Sequence, residues 1–397
     1  MTAPLRATLH RRLLDAPFDP ALIGRDELRH RLSELLREEA PLLAAAAADA
    51  VLDELVDEVG GLGPLEPLLA DPAVTEIMVN GPDRVYVERD GALEAVDCTI
   101  GADTIVRVVQ RVIAPLGLRF DRAAPMVDAR LPDGARLHAV LPPLTPDGPC
   151  LTIRRFGARA VPLRAFGVGA EAQQFIEALV RGGWNLVIAG ATSAGKTTFC
   201  NAVAQVIDPA DRVVTIEETA ELRLAQPHVV RLEARPANAE GAGAVTVREL
   251  VRAALRMRPD RLIVGEVRGG EALDMLQACN TGHDGSLSTI HANSPSDVLS
   301  RLETLTLYSG VALPVAAIRA QIASAVDGVV QVGRGSGGRR RVLAVAEVTG
   351  TRVPLARTLL AAGPGGLERT APPTRGPRRG SADLEEVWRA CAPSSSQ

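Results

Sequence analysis

Gly190-Ala191-Thr192-Ser193-Ala194-Gly195-Lys196-Thr197 decides how this chain is read. The stretch fits G-x-x-x-x-G-K-[ST] without a mismatch, and its setting is the one such a loop needs. Residues 184–189 (WNLVIA) predict a short buried strand, and residues 198–207 predict a helix that stops at Asp208-Pro209. Between them the glycines let the backbone curl, so that N–H groups from Gly190, Thr192, Ser193, Ala194 and Gly195 face one phosphate chain. The opening of the helix, with Lys196, Thr197 and Thr198, adds unpaired donors and partial positive charge. Lys196 would reach the β- and γ-phosphates, and the Thr197 hydroxyl is a hard oxygen ligand suited to Mg²⁺.

Working outward, 397 residues predict two or three domains. The composition is 46% hydrophobic but only 3% aromatic, so the core must be aliphatic. A net charge of −4 makes no case for a nucleic-acid partner. The five cysteines (Cys98, Cys150, Cys200, Cys279, Cys391) never form a C-x-x-C pair. They point to reduced thiols in a cytosolic compartment, without a zinc site or a disulfide framework. No signal-peptide pattern and no apolar run of about 20 residues is present, so any membrane association is expected to be peripheral.

Residues 1–60 read as a lead-in followed by a helical module, with Leu28, Leu32, Leu35 and Leu36 at helical spacing and a second, alanine-rich helix over 41–59. Residues 61–156 read as an α+β domain. Residues 74–81 and 84–89 predict strands, Asp90-Gly91 a hairpin turn, 102–114 an amphipathic helix, and 129–140 a hairpin around Pro132-Asp133-Gly134. Arg130, Arg136, Arg154 and Arg155 cluster near the end of this domain; they suit either nucleotide or subunit contacts or ordinary solvated strand positions. Residues 157–169 read as a linker, 170–350 as the nucleotide domain, and 351–397 as a largely disordered Gly/Pro/Arg-rich tail with a short helix possible near 383–390. Apolar segments at 186–189, 213–216, 262–264 and 329–332 alternate with helical patterns, predicting a largely parallel sheet with helices on both faces. The basic run 334–341 (RGSGGRRR) reads as a solvated hairpin tip, or as a site for nucleic acid or anionic lipid.

Three further stretches carry chemistry. Thr215-Ile216-Glu217-Glu218-Thr219-Ala220-Glu221 places acids at the carboxyl end of a strand, beside the phosphate loop of a parallel sheet. Such acids can polarise water or hold a metal's water shell. Leu262-Ile263-Val264-Gly265-Glu266 is an apolar strand ending in an acid, with Gly265 leaving room for a close approach. In Thr281–Asn293 (TGHDGSLSTIHAN), His283 and His291 flank what reads as a glycine-serine turn. An imidazole there can sense a γ-phosphate or transmit its loss.

In this order the motifs resemble the secretion ATPase superfamily of type II and type IV secretion and type IV pilus systems. They are most similar to its TadA/CpaF branch, which drives tight-adherence (Flp) pilus assembly. Residues 61–69, 125–134 and 151–156 also resemble that branch. The resemblance implies a RecA-like P-loop domain preceded by a PAS-like α+β domain and a helical module. It also implies an Mg²⁺-dependent ATP hydrolase, assembled as a homohexamer, that works on an integral inner-membrane platform protein from the cytoplasmic face. Carried over, Lys196 and Thr197 bind phosphate and Mg²⁺, Glu217 is the catalytic carboxylate, Glu266 the second acid and a metal ligand, and His291 the γ-phosphate sensor. The four arginines would contact nucleotide. The family usually has Asp at position 218, where this chain has Glu. A type IV secretion or conjugation ATPase delivering DNA or protein would carry the same motor residues. A weakly hydrolysing NTP-binding regulator is the alternative from another class. A nucleic-acid translocase rests only on the basic run, and no nucleic-acid partner is expected.

Overall fold

Leucine spacing sets the first elements. Helix α1 (Arg25–Glu39) buries Leu28, Leu32 and Leu36 against Leu52, Leu55 and Val56 of α2 (Ala45–Gly60). The second helix starts later than position 41 because residues 41–44 form a turn in which Leu42 is 98% exposed and has nothing to pack against. The computed structural model describes residues 5, 8–9, 11–13, 25–89, 92–155, 161–238, 240–335, 338–363 and 366–391. The Asp90-Gly91 turn and residues 157–160 of the expected linker therefore lie outside the described residues.

After α3 (Glu66–Ala70) come β1 (Val74–Asn80), β2 (Val85–Arg89), β3 (Ala92–Val96), α4 (Ala102–Ile113), β4 (Met126–Arg130), β5 (Arg136–Val140) and β6 (Cys150–Arg154). The six strands form a sheet in the order β3-β2-β1-β6-β5-β4, with every pairing antiparallel. Its core alternates along each strand, as Ile77 and Val79 on β1 and Leu137 and Ala139 on β5 show. Helix α4 adds Ile105, Val108, Val109 and Ile113, the stripe that a 3.6-residue period selects. Helical module and sheet fall within one compact unit, Met1–Gly157 with Asn238–Glu240. Helix α2 runs almost directly into the 3₁₀ turn Gly63–Leu65, and the Arg111 guanidinium donates to the Gly61 carbonyl.

The second unit spans Ala158–Ala237 and Gly241–Gln397. It contains α5 (Ala170–Arg181), β7 (Leu186–Ala189), α6 (Lys196–Ala204), β8 (Val213–Glu217), β9 (Val229–Glu233), α7 (Val247–Ala254), β10 (Arg261–Val264), α8 (Glu271–Asn280), β11 (Leu287–Ile290), α9 (Pro295–Leu307), α10 (Val315–Ala325), β12 (Gly328–Arg334), β13 (Arg340–Thr349), β14 (Leu355–Gly363), β15 (Gly366–Arg369) and α11 (Leu384–Ala390). One sheet takes the strands in the order β15-β14-β13-β12-β7-β11-β10-β8-β9. From β12 to β9 all neighbours are parallel; β13, β14 and β15 extend it antiparallel. Alternate residues feed two cores: Leu186 and Ile188 pack in one, Val187 and Ala189 in the other. A sheet buried on both faces reads as unbroken apolar runs, as these strands do.

Two expectations change here. Residues 161–169 are not a free linker: Leu163 and Phe166 are buried, and Phe166 meets Phe199 of α6 edge to face at 5.1 Å. Nor is the tail largely disordered over its described residues, 351–363 and 366–391; residues 364–365 and 392–397 lie outside them. Leu359, Leu360, Leu367 and Leu384 join the core, and residues 374–379 are held by buried acids. The amides of Thr374 and Arg375 donate to Glu347, Arg375 pairs with Asp327 at 2.7 Å, and Arg378 pairs with Asp327 at 2.5 Å and Asp284 at 3.1 Å. Composition counts such arginines as solvated; their carboxylate partners lie far away in sequence.

Candidate functional site

The carboxyl ends of the parallel strands converge on the loop between β7 and α6, where an α/β sheet presents its ligands. Ser193 and Gly195 adopt left-handed φ of +58° and +92°, which turns the loop over. Gly190 cannot carry a side chain, because a Cβ would stand 2.5 Å from the Val332 carbonyl oxygen. Helix α6 starts at Lys196, immediately after the loop, two residues before the expected position. It ends at Ala204 because Val206 and Ile207 turn back onto Val203 and Ala204.

The Lys196 ammonium is buried, 3.3 Å from the Gly190 carbonyl, 3.2 Å from that of Ala191, and 3.3 Å from each ring nitrogen of His291. His291 Nε2 lies 2.7 Å from Glu266 Oε1. The other Glu266 oxygen accepts from Arg268 at 2.9 Å, and Arg268 also donates to Glu218 at 2.7 Å. A chain of polar contacts thus runs from the phosphate loop across the ends of β11, β10 and β8. Burial pushes the Glu266 carboxyl upward, but Arg268, His291 and Lys196 outweigh it and hold the carboxyl below its usual value. Burial lowers the His291 imidazole; Glu266 opposes this, while Lys196, Arg268 and Arg301 reinforce it. Burial and the neighbouring cations thus favour the neutral form of the ring.

Glu217, beside Gly265, is held by a different set of partners. It is 3% exposed, and its Oε1 accepts from the amides of Glu221 at 2.9 Å and Leu222 at 3.0 Å. Burial pushes its carboxyl up to about 7, against those hydrogen bonds. Expected from the resemblance as the catalytic carboxylate, it is here engaged with residues 218–222 through those amides. His283 and His291 flank more than a turn: the Asp284-Gly285 turn, with Gly285 at a left-handed φ of +83°, leads into strand β11 (Leu287–Ile290), which separates the two histidines. His283 Nδ1 is 3.0 Å from the Ala278 carbonyl, a structural contact.

In the N-terminal sheet, Arg130, Arg136 and Arg154 are direct cross-strand neighbours, Arg130 opposite Arg136 and Arg136 opposite Arg154. Glu76 and Glu88 continue that row. Arg155 does not join it; its guanidinium donates to the carbonyls of Asp71 and Val74.

The basic run supplies two residues that sequence reasoning missed as site residues. Strand β12 lies beside β7, which brings the β12–β13 hairpin to the phosphate loop. Arg334 Nη2 is 3.5 Å from the Ser193 carbonyl, and a Cβ on Gly195 would stand 2.7 Å from Arg340 Cδ. The charge run was visible; its pairing with the loop strand was not. Two guanidiniums, a buried lysine and a glycine loop fit a polyphosphate, and Thr197 and Glu266 offer the oxygen ligands that Mg²⁺ prefers. No helix among the described residues is long and apolar enough to cross a membrane.

Comparison with known proteins agrees with this arrangement. Residues 58–339 match the family described as Type II/IV secretion system protein. The chain is 41% identical over 308 residues to a putative conjugal transfer protein of Mycobacterium tuberculosis, covering 75% of this chain and 87% of that one. It is 36% identical over 334 residues to the type IV secretion system protein PtlH of Bordetella pertussis, covering 74% of this chain and 96% of PtlH. The fold is shared with the ATPase DotB of Legionella pneumophila, at a TM-score of 0.51 and 19% identity over 68% of this chain and 76% of that one. The chain belongs to the Type II/IV secretion system protein family.

Proposed function

We propose that this member of the family is an Mg²⁺-dependent ATP hydrolase that acts as the motor of a secretion or pilus machine. The observation that carries the reading is the convergence of Lys196, His291 and Glu266 at the mouth of a phosphate loop. Lys196, the loop amides and Arg334 and Arg340 would hold the polyphosphate. Thr197 and Glu266 would hold Mg²⁺, which when bound neutralises charge on the phosphate oxygens. Hydrolysis of ATP by water yields ADP, inorganic phosphate and a proton, and needs a group that orients the water. Glu266, with its charge kept by Arg268 and its position by His291, suits that task. His291 touches both Lys196 and Glu266, so it suits the γ-phosphate sensor. Glu217 then acts through the 218–222 turn, as a positioning residue. Arg130, Arg136 and Arg154 form the row best suited to an anionic partner, nucleotide or neighbouring subunit.

The finer reading keeps the resemblance to the TadA/CpaF branch: a homohexamer with a PAS-like N-terminal domain. It would power Flp pilus assembly at an inner-membrane platform protein, on the cytoplasmic face. The relatives' descriptions as conjugal transfer and type IV secretion proteins favour a second reading, an ATPase delivering DNA or protein. Steady-state phosphate release from ATP by the purified chain, with native mass measurement and with platform protein or DNA added, tests all of this. Lys196→Ala and Glu266→Gln should each lower turnover at least a hundredfold, Glu266→Gln while still binding nucleotide. Undiminished turnover in Lys196→Ala would overturn the hydrolase reading. Stimulation by DNA alone would favour the second.

A further inference from the structure

Beside His291 opens a pocket of about 380 Å³. Its walls include Arg268, His291, Asn293, Asp297, Arg301 and Tyr308, so His291 lines the pocket with one surface while contacting Lys196 and Glu266. Arg268 is already committed to two carboxylates. Arg301, on α9, is exposed and forms no ion pair or hydrogen bond among the described residues, although its charge reaches His291. Asp297 lies one helical turn before it, on the same face of α9. A guanidinium and a carboxylate side by side, with Tyr308 and Asn293 as neutral donors, match one kind of anion well. Inorganic phosphate near neutral pH still carries a proton, so Arg301 can bind its oxygens while Asp297 accepts from its P–OH. Sulfate has no such proton and would face the carboxylate unfavourably.

We propose that this pocket binds the inorganic phosphate product as it leaves past His291. The proposal rests on the hydrolase reading above, and its test separates the two. Full-length protein and its Arg301→Ala, Arg301→Lys and Asp297→Asn variants would be followed in two single-turnover measurements: ADP formation by rapid quench, and phosphate release with a fluorescent phosphate reporter. Arg301→Ala should form ADP within about twofold of the parent rate, release phosphate at least fivefold more slowly, and be partly restored by Arg301→Lys. In a third arm, broadening of the ³¹P line of inorganic phosphate reports binding directly. It should weaken at least fivefold in Arg301→Ala, and competition by sulfate should appear only in Asp297→Asn. Equal slowing of ADP formation and release, or unchanged release and ³¹P broadening, would overturn the pocket. Absence of ADP formation by the parent protein would sink the hydrolase reading instead, leaving the ³¹P comparison to decide the pocket.

Discussion

A single methyl group added to Gly265 would stand 2.6 Å from Glu217 Cγ. The glycine before Glu266 therefore does more than clear space around its neighbour: it lets the buried side chain at the end of β8 pass beneath the end of β10. Cγ is the stem of that side chain, so it cannot swing aside without withdrawing the carboxylate from the Glu221 and Leu222 amides. Gly265→Ala should destabilise the second unit by about 1–3 kcal/mol, the usual cost of overpacking. Most of that loss should disappear when it is combined with Glu217→Ala. Urea unfolding midpoints of the four proteins in the double-mutant cycle check this; additive losses would mean that the two positions do not collide.

Glu217 also sets a pH dependence. Its carboxyl lies at about 7 in the fold against an ordinary 4.5, chiefly through burial. The folded protein thus holds a proton that the unfolded chain releases between those values. The stability this contributes is fully present below about pH 4.5 and is lost as pH rises through about 7. Glu217→Gln stays neutral throughout. Thermal unfolding at pH 5, 6, 7 and 8 should show the variant gaining on the parent as pH rises, by up to about 3 kcal/mol. A constant gap would show that the carboxyl is ionised throughout that range.

Arg334 and Arg340 come to the phosphate loop only because β12 pairs with β7. Both are exposed, so replacing them should leave stability unchanged. A charge-assisted hydrogen bond to phosphate contributes roughly 1.5–3 kcal/mol, so Arg340→Ala or Arg334→Ala should weaken binding of a fluorescent ADP analogue about tenfold or more. Adenosine, which lacks phosphates, should bind equally well to parent and variants. Unchanged affinity for the ADP analogue would remove the hairpin from the nucleotide site.

What was legible in the sequence is what is local. Strand, glycine loop and helix are contiguous from 184 to 204, so their order alone announces the phosphate loop. Long apolar runs mark β7, β8, β10 and β12 because both sheet faces are covered. Strand β11 escaped because it is polar inside: Ser288 and Thr289 are buried, and the Thr289 hydroxyl donates to the Gly265 carbonyl at 2.6 Å. The glycine-serine turn is present at Asp284-Gly285, but the polar residues after it form an interior strand, and that strand separates the two histidines. Glu217 was legible as an acid at a strand end, but its hydrogen bonds to the Glu221 and Leu222 amides were not, because they depend on how the following residues fold against it.

The tail shows the same limit with the largest energetic consequence. Asp327 is 3% exposed and is matched by two guanidiniums, Arg375 at 2.7 Å and Arg378 at 2.5 Å, while the Asn185 amide donates to it at 2.9 Å. Arg378 and Arg379 also donate their amides to the Gly182 carbonyl, and Trp184 Nε1 donates to that of Gly376. Residues 375–379 therefore close the amino-terminal edge of the sheet, at the starts of β7 and β12. A buried carboxylate stripped of its partners is costly, about 3–5 kcal/mol for a broken buried pair. Arg375→Ala with Arg378→Ala should lower the urea midpoint accordingly, and Asp327→Asn added to that pair should recover part of the loss by removing the uncompensated charge. If the arginines were merely solvated, the double replacement would stay within about 0.5 kcal/mol of the parent, as surface changes do.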